Sequence, residues 1–183
     1  MERKKHASIL RVTRRIHRAM GIFLFLIFLV ISFSGILLGW KKNSGGYLLP
    51  DTQNGTTSGL NQWLTIDTLT TIGISAILEE QQEQLTLDRL DIRPDKGIIK
   101  IVFVEDQWEV QLDGATGTVL SIGRRRSDWI EDLHDGSLMD NAFGTAFIKL
   151  LFTSISGISL ALFSITGFWL WYGPKLMRNQ RID

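Results

Sequence analysis

Two long stretches without a charged side chain lie near the two ends of this 183-residue chain, at residues 19–40 and 150–173. At about 1.5 Å of rise per residue, each is long enough as a helix to cross a hydrocarbon core of roughly 30 Å. The pattern therefore predicts two transmembrane helices. The first stretch is longer than the apolar part of a usual signal peptide, and no A-x-A-like site follows it. We expect an uncleaved anchor.

The polar chain between these stretches predicts a small α+β domain over residues 41–126. Residues 43–62 are rich in Asn, Ser, Thr and Gly, which is typical of a linker. Asp67 is expected to cap or open a helix that ends near Gln84. Three or four short alternating strands follow, and the turn residues between them predict an antiparallel meander. We expect the helix to bury one face of this sheet.

The approach to the second apolar stretch, residues 127–149, mixes polar and apolar side chains. It is predicted to be a juxtamembrane amphipathic segment that carries His134. The predicted fold class is therefore membrane α plus a small α+β domain. Two transmembrane helices flank a helix and an antiparallel β-meander, and residues 174–183 form a tail.

The charges are distributed unevenly along the chain. Residues 1–18 carry seven Lys or Arg and one acid, residues 41–149 carry ten and seventeen, and residues 174–183 carry three and one. Basic segments beside both spans place both termini in the cytoplasm and the acidic middle domain on the other side, by the positive-inside rule. The basic residues of segment 1–18 stand directly before a span. This position indicates a role in membrane topology and contact with anionic lipid headgroups rather than nucleic-acid binding. The absence of cysteine excludes disulfides, thiol catalysis, iron–sulfur clusters and thioether-linked haem.

Two of the three histidines adjoin the apolar stretches. His17 lies two residues before the first, and His134 lies in the approach to the second. Neutral imidazole is a good axial ligand for haem iron. Gly21, one helical turn after His17, is expected to leave room for a flat macrocycle. Three acidic neighbours are expected to orient the His134 ring: Asp135, Asp132 and Glu131. The alternative is that both histidines are structural residues at the membrane interface.

Small and charged residues complete the set of candidates. Four glycines are expected to allow close helix packing in the spans: Gly35, Gly39, Gly157 and Gly167. Acids of the middle domain are expected to be solvated surface: Glu105, Asp106, Glu109 and Asp113. The Arg124–Arg125–Arg126 run is expected to anchor the domain to the membrane surface, with anion or anionic-lipid binding as the alternative. No catalytic residue is predicted.

Several motifs resemble one family. Residues 110–120 read VQLDGATGTVL and resemble the last hairpin of a PepSY domain. Residues 16–21 (IHRAMG), 133–136 (LHDG) and 167–172 (GFWLWY) resemble the PepSY-associated transmembrane helices. Together these motifs cover nearly the whole chain, which therefore resembles a two-span PepSY-associated protein.

The resemblance implies a bacterial inner-membrane protein whose PepSY domain lies in the periplasm. Some larger relatives are haem-containing ferric-siderophore reductases, in which histidines bind b-type haem. By resemblance, His17 and His134 are candidate ligands of a haem b iron. This chain has two spans rather than four, so it lacks the histidines of the additional helices. PepSY domains elsewhere act as inhibitory or chaperone-like segments of secreted peptidases.

The predicted topology separates the two histidines by a full span, on the order of 30 Å, so they cannot ligate one iron. Each needs a second ligand from another helix, supplied by a second copy or a different membrane subunit. The leading hypothesis is an electron-transfer, ferric-reductase-like subunit in a homodimer or larger complex, surrounded by lipid. The alternative is a non-catalytic accessory subunit whose PepSY domain binds a partner and stabilises or inhibits it.

Overall fold

The computed structural model describes residues 2–179, which form five α-helices and one four-stranded sheet. Met1 and residues 180–183, the ends of the two predicted cytoplasmic segments, lie outside the described residues. The helices are α1 (Glu2–Trp40), α2 (Ile66–Gln81), α3 (Arg126–Asp135), α4 (Ser137–Phe143) and α5 (Ile148–Asn179). The strands are β1 (Leu87–Arg93), β2 (Ile98–Phe103), β3 (Trp108–Asp113) and β4 (Val119–Arg124). The chain divides into two compact units: residues up to Gly35 together with those from Asp132 onward, and Ile36–Glu131.

The first unit contains most of α1 and all of α5, and both helices are long and apolar enough to cross a membrane. The two predicted transmembrane helices are confirmed. A helix satisfies its own backbone hydrogen bonds, as hydrocarbon surroundings require. The basic segment and the first apolar stretch form one uninterrupted helix, and α5 continues past Pro174.

Helices α1 and α5 are antiparallel, because residues later in α1 contact residues earlier in α5. A Cβ on Gly173 would lie 2.7 Å from Leu10 Cδ2, and a Cβ on Gly21 would lie 3.1 Å from the Phe163 ring. Phe28 meets Phe163 edge-on, with ring centroids 6.0 Å apart. Positions without a side chain let the two backbones approach closely.

The start of α5 is capped by an acid from α4. The Asp140 carboxylate accepts hydrogen bonds from the backbone N–H groups of Ile148 (3.0 Å) and Lys149 (2.9 Å) and from the Thr145 hydroxyl (2.6 Å). The hydrogen bond from Thr145 is the main cause of a lowered pKa at Asp140. A negative charge is favourable where a helix begins with unpaired N–H groups.

The second unit is built on the predicted antiparallel meander, which is confirmed with strand order β1-β2-β3-β4. Helix α2 packs on one sheet face and buries Leu69 and Ile77 against apolar residues of β2 and β3. Its N-cap is Thr65, whose hydroxyl accepts from the Thr68 N–H, so Asp67 lies in the first turn and is not the cap. The helix ends before Gln84 because Gln82 adopts a left-handed conformation (φ 55°).

The second sheet face is covered as well, by part of the segment that the sequence predicted to be a linker. The Gln53 N–H donates to Gln111 Oε1 (2.9 Å), and the Thr56 N–H donates to Asp113 Oδ2 (2.8 Å). Lys100 Nζ donates to Thr52 Oγ1 at 3.1 Å. Residues 51–57 of the predicted linker are therefore packed against the domain.

The expectation of a solvated acidic surface is wrong for Glu109 and Asp113, which are both buried. Glu109 pairs with Lys100 (3.2 Å) and with Arg125, and it accepts from the Gln111 amide (2.7 Å). Every member of this polar cluster has a hydrogen-bond partner, as buried charges require. The cluster holds α3 and residues 51–57 to the sheet.

Arg124–Arg125–Arg126 was expected to anchor the domain to the membrane surface, but Arg125 does not fit this expectation. Its side chain forms ion pairs inside the fold. Its guanidinium donates to Glu109 and, at 2.8 Å, to Asp128 Oδ2. Burial lowers the pKa of Arg125, but its hydrogen bonds to Asp128 and Glu109 outweigh burial and the net direction is up. Arg125 therefore stays charged inside the fold.

Candidate functional site

His17 is held by a hydroxyl of the opposite helix. Its Nδ1 lies 2.8 Å from Thr166 Oγ1, and its half-buried ring lies against Phe163 with centroids 3.9 Å apart. The Thr166 hydroxyl also lies 2.7 Å from the carbonyl oxygen of Leu162, one turn back along α5. This distance between two oxygens requires a hydrogen between them, and the hydroxyl has only one. Thr166 therefore donates to Leu162 and accepts from His17 Nδ1–H.

His134 has the same arrangement with Ser34 of α1. Its Nδ1 lies 2.9 Å from Ser34 Oγ, and Ser34 Oγ lies 2.6 Å from the Val30 carbonyl oxygen. The same reasoning makes Ser34 the donor to Val30 and the acceptor from His134 Nδ1–H. In a neutral imidazole with Nδ1 protonated, the lone pair lies on Nε2. Within the described part of the chain, neither Nε2 has a hydrogen-bond partner.

Two of the four candidate glycines face these histidines. A Cβ on Gly35 would lie 3.3 Å from His134 Cε1, and a Cβ on Gly167 would lie 3.5 Å from His17 Cε1. Gly39 and Gly157 have no atom within 4 Å of an added Cβ. Gly35 and Gly167 therefore lie where an imidazole packs, whereas Gly39 and Gly157 have open space beside them.

A cavity of about 270 Å³ lies beside His134, between α1 and α5. Its wall is mainly apolar and includes Phe28, Ile31 and Phe152, together with Gly157 and the polar side chains of Ser32, Thr153 and Ser156. Pockets that hold a whole ligand begin near 300 Å³. The cavity is close to that size and has an imidazole in its wall.

The surroundings of His17 and His134 in the structure differ from the sequence-based expectation in two respects. The space beside Gly21 is filled by the Phe163 ring and is not open to a macrocycle. The acidic neighbours of His134 have other partners: Asp135 pairs with Lys149 and accepts from Ser137, Glu131 pairs with Lys41, and Asp132 accepts from Asn141. The orienting group at His134 is a hydroxyl.

The Asp135 carboxylate lines the cavity but is engaged elsewhere. Burial raises the pKa of Asp135, while hydrogen bonds from Lys149 and Ser137 lower it by more, so the net direction is down. The carboxylate therefore stays ionised, with its charge balanced by Lys149.

The two histidines lie far apart along the membrane unit. His134 contacts α1 at Ser34, which is 17 residues after His17. At about 1.5 Å per residue this separation is roughly 25 Å. No group of three or more His, Cys, Asp or Glu side chains suited to a metal ion occurs in the part of the chain that the structure describes. Each histidine therefore stands as a single imidazole donor.

The comparison with known families decides where the chain belongs. A family model described as the PepSY-associated TM region matches residues 4–180. The chain belongs to this family. A search of curated proteins gives no match. The chain is thus a membrane protein with a PepSY domain, and its two apolar helices and small α+β unit are those of a PepSY-associated protein.

Sequence reasoning selected His17 and His134 of this PepSY-associated protein as candidate ligands, but it did not predict their hydroxyl partners. Thr166 stood among several hydroxyls of the second span, and Ser34 had no distinguishing neighbour. An antiparallel alignment of the two spans would have placed Thr166 opposite His17, but no local pattern points to Ser34. The capping role of Asp140 was also missed.

Proposed function

We propose that this PepSY-associated protein is a bacterial inner-membrane electron-transfer subunit that binds b-type haem through His17 and His134. The observation that supports this most is that both imidazoles donate Nδ1–H to a helix hydroxyl, while neither Nε2 has a hydrogen-bond partner among the described residues. Metal-ligating histidines usually have their other ring nitrogen fixed by a hydrogen bond in this way. The donor set therefore fits haem iron. A bound b-type haem supplies one-electron transfer.

The residues around each imidazole hold and orient the ring. Thr166 and Ser34 fix the tautomer, Gly167 and Gly35 leave room for the ring at the helix contact, and Phe163 supports the His17 ring from one side. Most of the surface of the cavity beside His134 is apolar, with Phe28, Ile31 and Phe152 in its wall. Apolar surroundings of this kind favour an apolar cofactor and limit the access of solvent.

Each site in the proposal is completed by another helix. With the two imidazoles roughly 25 Å apart, each would hold a different haem, so that one chain would supply one imidazole to each of two haems. A second copy or a different subunit supplies the other ligands. Only 11% of the apolar window of α1 and none of that of α5 is buried. The two helices thus have ample surface for lipid and for a second helix pair.

The charge distribution supports the orientation in this proposal. Basic residues before the first span and after the second place both termini in the cytoplasm, and the acidic PepSY domain then lies in the periplasm. In this orientation His17 is near the cytoplasmic side and His134 nearer the periplasmic side, so the two imidazoles would hold haem near opposite faces of the membrane.

The visible absorption spectrum of the full-length protein tests the proposal. The protein is purified from bacterial membranes after expression with added haem, beside the variants His17→Ala, His134→Ala and the double variant. The control is His6→Ala, which replaces the third histidine of the chain, in the basic segment before the first span. We expect a Soret band in the wild type and the control, a weaker band in each single variant, and none in the double variant. A colourless wild type, or a double variant with the full band, would contradict haem binding. A colourless protein would favour the accessory-subunit function.

A further inference from the structure

An open cleft of about 470 Å³ lies beside β4, an outer strand of the sheet. Arg124 and Arg126 line it, together with Trp108, Gln81 and the backbone at Gly46 and Gly123. Within the described residues, no Asp or Glu side chain lines this cleft. We call it the β4 cleft.

Both arginines are held in place by aromatic rings. The guanidinium carbon of Arg124 lies 4.7 Å from the centroid of the Trp108 ring, and that of Arg126 lies 4.7 Å from the Tyr47 ring. Arg126 Nη1 also donates to the Tyr47 carbonyl oxygen at 2.9 Å. Stacked guanidinium groups lose less conformational freedom when they bind a ligand.

The two guanidinium groups have donors to spare. Each has five N–H donors. Arg124 uses one on Asp106 (2.8 Å), and Arg126 uses one on Tyr47. Arg125 between them points into the fold, where its donors go to Glu109 and Asp128. Arg125 thus belongs to an internal ion pair, whereas Arg124 and Arg126 line the cleft and have N–H groups without a partner among the described residues.

We propose that the β4 cleft binds an oxyanion, a phosphate or carboxylate group, between Arg124 and Arg126. The planar fork of a guanidinium matches both groups with two parallel hydrogen bonds. Two sources carry this chemistry: an anionic lipid headgroup and a small soluble anion. A lipid headgroup is one of these sources because the cleft is close in sequence to the first span. Gly46, which lines the cleft, is six residues after Trp40, the last residue of α1, and six residues span at most about 20 Å. The site is independent of the proposed haem function.

Isothermal titration calorimetry on the full-length protein in detergent tests the site, with inorganic phosphate and citrate as probes and chloride used to match ionic strength. We expect binding of at least one probe, weakened about tenfold or more in Arg124→Gln and in Arg126→Gln. Arg93→Gln on β1, at the other side of the sheet, is the matched control and should bind as the wild type does. Circular dichroism checks that each variant is folded.

A second arm distinguishes the sources. The same titration is repeated with the protein in phosphatidylglycerol nanodiscs. Loss of probe binding there, with binding retained in detergent, indicates that the lipid headgroup occupies the cleft. Equal binding in both settings indicates a soluble oxyanion. A wild type that binds neither probe in detergent, or equal affinities in the Arg126→Gln and Arg93→Gln variants, would overturn the proposal.

Discussion

At the residue scale, the hydroxyls of Thr166 and Ser34 determine which ring nitrogen of each histidine is available. Each hydroxyl gives its hydrogen to a helix carbonyl and so accepts from Nδ1–H. The two sites lie at different levels of the membrane unit and come from different pairs of elements. Their common feature is an imidazole whose Nδ1 is bonded to a hydroxyl and whose Nε2 has no hydrogen-bond partner among the described residues.

Replacing Thr166 with valine keeps the shape of the side chain and removes the acceptor for His17. We expect the haem-free protein to show a mixture of His17 tautomers in place of the single Nδ1–H form, by ¹⁵N NMR in nanodiscs. Loss of such an orienting group typically weakens metal affinity 10–100-fold, and haem titration should show a loss of about that size. Ser164→Ala is the control, because Ser164 bonds only the Leu160 carbonyl among the described contacts. An unchanged His17 tautomer in Thr166→Val would refute the assignment.

Gly35 and Gly39 offer a matched pair on one helix. A Cβ added to Gly35 would lie 3.3 Å from His134 Cε1, whereas a Cβ added to Gly39 would have no atom within 4 Å. We expect Gly35→Leu to displace the His134 ring and to cost about 1–3 kcal/mol of unfolding free energy. Gly39→Leu should cost clearly less. Thermal unfolding in detergent compares them, and equal losses would argue against a packed His134 ring.

At the element scale, the sheet carries an apolar face under α2 and a polar face under residues 51–57. Alternation along the strands predicted the meander and the residues that share a face. It did not predict what covers the polar face, because Lys100, Glu109 and Gln111 have the composition of a solvated surface. The distant segment 51–57 and Arg125, the residue before α3, cover these positions, and no local pattern contains that contact.

Glu109 is the centre of this polar face. Glu109→Gln leaves Lys100 and Arg125 without their shared counter-charge, and breaking a buried pair this way typically costs about 3–5 kcal/mol. We expect a large fall in the midpoint of thermal unfolding, followed by tryptophan fluorescence. The control is Asp91→Asn, which removes the more exposed pair with Arg93 and should cost less than about 1 kcal/mol. Similar effects of the two changes would mean that the cluster contributes little.

Asp113 makes the stability of the PepSY domain depend on pH. Burial raises the pKa of Asp113, but hydrogen bonds from Thr56, Ala115 and Thr116 lower it by more, so the net direction is down. Its contribution is therefore fully present above the unfolded pKa of about 4 and is lost as pH falls through the lower folded value.

We expect wild type to be more stable than Asp113→Asn by about 1–3 kcal/mol at pH 7, because the amide cannot accept all of these hydrogen bonds. The difference should shrink below about pH 4. Unfolding midpoints of both proteins from pH 3 to pH 7 measure it. A difference that stays constant over this range would contradict the assignment.

At the scale of the whole molecule, the family match covers both units, at residues 4–180. The charge-free stretches predicted both spans, because their length and composition are set by the bilayer alone. The positions of His17 and His134 were also readable from the sequence. Their hydroxyl partners were not, because contacts between distant helices leave no local pattern. The proposed function needs assembly, since one chain would supply each haem with a single imidazole.

Haem content per chain tests the central claim most directly. The full-length protein and its His17→Ala and His134→Ala variants are purified after expression with added haem, and the haem-to-chain ratio is measured by native mass spectrometry. We predict about one haem per chain in wild type and about half that ratio in either variant, because each histidine serves a separate haem shared with a second copy. A wild type without haem, or a ratio unchanged by both substitutions, would contradict the account.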